Sequence, residues 1–182
     1  MQIDTKTGLL DVARQVCSPN CDSRPDGIEP DLVVLHNISL PPNEFGGPHI
    51  DALFCNRLPA DGHAYFEGIQ GMQVSAHLLI RRDGEIVQYV PFHQRAWHAG
   101  QSCYVGREGC NDFSIGVELE GADTTPYTDS QYNQLSEVIQ SLLRAYPSLS
   151  AQRIVGHSDI APGRKTDPGS AFDWGRLKGR VG

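Results

Sequence analysis

Residues 128–147, TDSQYNQLSEVIQSLLRAYP, constrain the fold more than any other stretch of the chain. Tyr132, Leu135, Val138, Ile139, Leu142, Leu143 and Tyr146 fall at helical spacing on one face. Thr128 with Gln131 three residues later reads as a capping box, and Pro147 marks the stop. The spacing predicts an amphipathic core helix, to which no chemistry is assigned. Its apolar face must be buried against other elements. Residues 31–37, DLVVLHN, are apolar and β-branched and read as a buried strand. SAHLLIRR and EIVQYV flank Asp83 and Gly84, a hairpin signal. FSIGVELEG, 113–121, alternates like a strand, and RIVGH, 153–157, reads as a short one. The Pro- and Gly-rich SLPPNEFGGPHID reads as a long surface loop, with a short helix expected around Ile50–Asn56. Strands and helices alternate and mix. The expected class is therefore α/β or α+β, a central mixed sheet flanked by helices.

With 182 residues, no internal repeat and no long polar linker, a single domain over residues 1–182 is expected. No apolar run approaches the ~20 residues needed to span a bilayer. MQIDTKTGLLDVARQ lacks a basic segment followed by an apolar one, so no signal peptide is read and the expected compartment is the cytoplasm. A net charge of -7 argues against a nucleic-acid partner, which would call for a basic face. No membrane and no obligatory protein partner is expected, and the chain reads as a monomer. The five cysteines, Cys17, Cys21, Cys55, Cys103 and Cys110, read as reduced thiols rather than a disulfide framework. Cys17 and Cys21 have a spacing used in some zinc sites but no second pair nearby.

The chemistry concentrates in GHSDIAPGRKTDPG, residues 156–169. Two prolines and three glycines punctuate it as a loop that no regular helix could occupy. His36 closes the first long strand, His157 closes the last, and Asp167 sits at the far end of this loop. Two imidazoles and a carboxylate would leave one position open on a tetrahedral zinc, the pattern of catalytic rather than structural sites. From spacing alone, each histidine reads more readily as a hydrogen-bonded structural residue than as a metal ligand.

The stretches LHNISLPPNEFGG, VSAHLLIRRDGEIVQYVPF, RAWHAG, CNDFSIGVELEG, YTDSQY and GHSDIAPGRKTDPG resemble AmpD-type 1,6-anhydro-N-acetylmuramoyl-L-alanine amidases. These belong to the zinc amidase group that also holds phage lysozyme-amidases and peptidoglycan recognition proteins. The resemblance runs in one order from about residue 17 to residue 174. It implies the amidase-like, peptidoglycan-recognition-like fold, one Zn2+ ion, and His36, His157 and Asp167 as its ligands. It also implies Glu118 as the catalytic carboxylate and Lys165 as its cationic partner. Strand alternation alone leaves Glu118 and Glu120 on the same side and does not choose between them. Trp97 and His98 are expected on a substrate-side cleft wall, with Asn37 against the peptide and Arg107 against a stem-peptide carboxylate. Close relatives often carry a further arginine where this chain has Gly109, and another at Gln73, which puts the grip on that carboxylate in question. No role is read for Asp159 or Arg164 beyond shaping the loop.

The resemblance implies a small-molecule muropeptide substrate, cut between the lactyl group of 1,6-anhydro-N-acetylmuramic acid and L-alanine. The role implied is cell-wall recycling, with removal of the muropeptides that induce β-lactamase in some Gram-negative bacteria. Two alternatives stay open at this point: a non-catalytic peptidoglycan-binding module, and a general amidase acting on polymeric peptidoglycan. A cysteine peptidase finds no activated thiol motif among the five cysteines.

Overall fold

The computed structural model describes residues 1–181. The predicted amphipathic helix is present as α3 (Asp129–Ala145), after α1 (His49–Phe54) and α2 (Ala64–Glu67). Its capping box closes in both directions: Gln131 N–H donates to Thr128 Oγ1, and Thr128 N–H donates to Gln131 Oε1, each at 3.1 Å. A one-turn α4 (His157–Ile160) and the terminal α5 (Trp174–Val181) follow.

Twelve strands are described, most of them short. A six-stranded mixed sheet runs in the order β12 (Ile154–Gly156), β5 (Leu32–Ile38), β11 (Ser114–Glu120), β6 (Leu78–Ile80), β7 (Ile86–Gln88), β3 (Arg14–Gln15). Three antiparallel ribbons complete the set: β1 (Ile3–Asp4) with β2 (Leu9–Leu10), β4 (Cys21–Ser23) with β8 (Gln94–Ala96), and β9 (Cys103–Tyr104) with β10 (Arg107–Glu108). The first four strands of the sheet are mutually parallel, while β6 and β7 form the expected hairpin across Asp83 and Gly84.

Both β5 and β11 lie deep in the sheet and are covered on both faces. Val33, Leu35, Ile115, Val117 and Leu119 pack with Leu135, Val138, Ile139 and Leu142 of α3 in one core. Leu32 and Val34 belong to a second cluster with Ala99, Phe113 and Ile160. By strand alternation, His36, Ser114, Gly116, Glu118 and Glu120 share the face away from α3. The alternation in FSIGVELEG thus separates an apolar core face from a buried polar one. Sequence patterning left α5 and the short ribbons unread, because two- and three-residue strands are too brief for periodicity to register. No helix among the described residues is long and apolar enough to cross a membrane.

Candidate metal centre and cleft

Parallel register assembles the site. Gly156 pairs with Leu35, so His157 emerges beside His36, and Glu118 lies directly across from His36 on the other neighbour. All three residues therefore sit at carboxyl ends of parallel strands, where an open sheet leaves a crevice. The loop after His157 then returns Asp167 to the same point. That stretch is not loop throughout: His157–Ile160 form α4, and Pro162 and Gly163 follow only after that turn. Asp159 Oδ2 accepts the N–H of Gly156 at 2.7 Å, which ties the turn at its start. Gly169, at φ +83, packs so tightly on Asp123 that a Cβ would stand 2.1 Å from the Asp123 Cα.

His36 Nδ1, His157 Nδ1 and Asp167 Oδ2 are each 3.0 Å from one another. Ligand atoms at ~2.0–2.1 Å around a tetrahedral zinc stand about 3.3 Å apart, so these three donors fit such an ion. They form one group able to hold a metal ion, and both histidines are buried. The second nitrogen of each ring is committed elsewhere. His157 Nε2 donates to the Ala99 carbonyl at 3.1 Å, which frees its Nδ1 lone pair. His36 Nε2 meets His98 Nδ1 at 2.9 Å.

The site's charges depend on one another. Burial drives the His36 imidazole down to about 4, outweighing the favourable contact with Asp167. Burial also raises the Asp167 carboxyl, but its close contacts with the His157 and His36 rings win and hold it below the usual carboxylate range. Glu118 is pushed well above its ordinary value by burial and by the Asp167 charge, with Lys165 opposing. Its Oε2 is buried without a hydrogen-bond partner. Such an orphan acceptor costs stability, and a function is a reason for it to persist. Glu120 is the opposite case. It accepts from Gly46 N–H at 2.6 Å, Arg82 N–H at 3.1 Å and Arg81 Nη1 at 3.3 Å, so it is an anchor of the 38–49 loop.

A cleft of about 560 Å³ opens over these groups, lined by His36, Asn37, Trp97, His98, Glu118, His157, Lys165 and Asp167. Its other wall is apolar, with Leu53, Phe54, Ile69 and Met72. Asn37 donates from Nδ2 to Asp123 Oδ1 at 2.8 Å, which turns its own amide oxygen free. Asp123 also lines the cleft, a residue that sequence reasoning did not single out. Only its hydrogen bond to the residue beside His36 reveals it. Arg164 bridges the loop to the carbonyls of Ala99 and Gln101, a role absent from its local sequence.

One expected substrate contact needs correction. Arg107 is outside the cleft: its guanidinium lies on the Phe113 ring and pairs with Asp31 at 2.6 Å. His98 lines the cleft wall as expected, with both its ring nitrogens engaged, by His36 and by Ser114. Neither is left over to hydrogen-bond a ligand. Trp97 lines the wall as expected, with its Nε1–H donated to Asp22 at 3.3 Å. Among the described residues the cysteines are all free, and Cys17 and Cys21 join no metal-binding cluster.

A family profile described as N-acetylmuramoyl-L-alanine amidase matches residues 26–170. The 1,6-anhydro-N-acetylmuramyl-L-alanine amidase AmpD of Citrobacter freundii is 61% identical over 174 residues, covering 96% of this chain and 92% of the relative. The crystal structure of a selenomethionine AmpD derivative superposes with a TM-score of 0.96 at 59% identity, over 100% of both chains. The Escherichia coli amidase AmiD, solved with anhydro-N-acetylmuramic acid-L-Ala-D-γ-Glu-L-Lys as its substrate, superposes with a TM-score of 0.60. It is 26% identical, and the match covers 98% of this chain and 65% of AmiD.

Proposed function

This chain belongs to the N-acetylmuramoyl-L-alanine amidase family, in its AmpD-type 1,6-anhydro branch, and we propose that it works with one zinc ion held by His36, His157 and Asp167. It is an amide hydrolase of cell-wall recycling. The bond cut joins the lactyl carbonyl of 1,6-anhydro-N-acetylmuramic acid to the amino group of L-alanine. The convergence of two Nδ1 atoms and one carboxylate oxygen at 3.0 Å beside an orphaned Glu118 carries the metal reading.

When bound, zinc polarises the scissile carbonyl and lowers the pKa of water from 15.7 toward ~7. Glu118 takes a proton from the attacking water and passes it to the departing amine. Its raised proton affinity suits both halves of that transfer, and its free Oε2 leaves the acceptor open. Lys165 sets a fixed positive charge at the rim, where the carbonyl oxygen gains negative charge in the tetrahedral state. Asn37 offers its amide oxygen to a stem-peptide N–H, held in place by Asp123. The apolar wall of Leu53, Phe54 and Met72 excludes water from the far side of the cleft. The working compartment under this reading is the cytoplasm, and a single-domain chain acts without a partner.

Peptide release from 1,6-anhydro-N-acetylmuramoyl tripeptide, followed by mass spectrometry, tests it. Release lost with chelator and restored by zinc is expected, with little release from intact sacculi run in parallel. Chelator-insensitive release would sink the metal assignment, and release mainly from sacculi the recycling role.

A further inference from the structure

His36 can give its Nδ1 lone pair to an ion only while its single proton sits on Nε2, and that proton needs an acceptor. His98 Nδ1 stands 2.9 Å away. His98 Nε2 is in turn 3.2 Å from Ser114 Oγ, which lies 2.5 Å from the Cys110 carbonyl oxygen. A carbonyl cannot donate, so Ser114 sends its one proton there and accepts from His98 Nε2–H. A neutral imidazole has one N–H, which leaves His98 Nδ1 as an acceptor facing His36. The reverse polarity would place a proton on His36 Nδ1, where the ion belongs. It would also leave Ser114 Oγ and the Cys110 oxygen in contact without a proton between them.

The seat for this ring is built into β11. Gly116 is the one residue of that strand without a side chain to place, and a Cβ there would stand 2.4 Å from His98 Cγ. Asn111 Oδ1 accepts the backbone N–H groups of both His98 and Ala99, at 3.0 and 2.8 Å, and so fixes the ring's origin. A glycine inside a buried strand marks such a close approach.

We propose that His98 is a positioning residue for the metal centre: it accepts the Nε2 proton of His36, and through Ser114 and the Cys110 carbonyl it selects the Nδ1-liganding form. This rests on the metal reading of the site. The residue acts through His36 and not on the substrate.

Three variants test it in zinc-loaded protein. His98→Leu removes the acceptor, Ser114→Ala removes the anchor, and His98→Asn returns an oxygen near the position of Nδ1. Zinc affinity is read by competition with a chromophoric chelator. Histidine-selective ¹⁵N NMR reads whether a slowly exchanging His36 Nε2–H persists. The expected result is a loss of affinity of ~10–100-fold in His98→Leu, a smaller loss in Ser114→Ala, and recovery with a visible Nε2–H in His98→Asn. Wild-type affinity in His98→Leu, or equal loss in the Leu and Asn variants, would overturn the proposal and leave the ring a packing role. Failure of the wild-type protein to bind one zinc would overturn the metal reading itself, and is read separately from the variants.

Discussion

Glu118 and Glu120 share one strand and one face, yet substitution should affect them in opposite ways. Glu120 is buried and accepts three hydrogen bonds, one from the buried Arg81 guanidinium. Glutamine there cannot accept from all three donors and leaves the ion pair broken. Arg81 keeps its pairs with Asp51 and Glu85, so the loss is that of a buried acceptor for the Arg82 N–H, ~1–3 kcal/mol. With a urea slope of ~2 kcal/mol/M, the midpoint should fall by about 1 M. Glu118 carries a buried oxygen with no partner, and such a group costs ~1–3 kcal/mol. Glu118→Gln keeps an unpartnered polar atom there but removes the charge that burial penalises, so its midpoint should rise rather than fall. Turnover should move the other way. Glu118→Gln should lose ~10²–10⁴ in kcat, the range of a general base, while Glu120→Gln keeps its turnover per folded molecule. Urea unfolding of chelator-treated protein and peptide release by the zinc-loaded enzyme give the two readouts. If Glu118→Gln is destabilised as much as Glu120→Gln, or if Glu120→Gln is the variant that loses turnover, this division of roles is wrong.

Three further outcomes follow from the same geometry. Lys165→Met should lower kcat by ~10²–10³ with zinc binding unchanged; a loss of zinc in the chelator competition would make Lys165 part of the metal support instead. Arg107→Ala should leave KM for the muropeptide unchanged and cost no more than ~1 kcal/mol, because Arg153 still pairs with Asp31; a raised KM would return Arg107 to the cleft. The metal-free protein should weaken steadily as pH falls from 6.5 toward 4. Burial holds His36 at about 4 and His77 at about 3, so the unfolded chain takes up protons in this window that the folded chain refuses. The histidine contribution is thus fully present above ~6.5 and falls by about 1.4 kcal/mol per pH unit for each ring, offset in part by Glu118, whose raised proton affinity favours the fold as pH falls. A flat profile between pH 7 and pH 5 would mean that one of the rings is protonated in the fold.

Much of the framework was legible in the chain itself. The α3 helix, its capping box and its stop are local signals, and the hairpin at Asp83 and Gly84 is another, because turn chemistry and periodicity act over a few residues. The residue types of the metal group stood out through the resemblance of whole motifs, and the geometry brings those residues within 3.0 Å of each other. What the chain could not reveal depended on contacts between distant segments. Spacing alone left Glu118 and Glu120 equivalent; only the approach of Gly46, Arg81 and Arg82 satisfies one and leaves the other bare. Arg107 had the right chemistry for a carboxylate, and Asp31, 76 residues earlier, already supplies one. His98 lines the cleft wall as its motif implied, but only β11, with Gly116 and Ser114 beneath the ring, reveals its contact with His36. Local sequence decides which elements form and which chemical groups they carry. Register and packing decide which of those groups meet, because a hydrogen bond is made or lost over about an ångström that no spacing along the chain encodes.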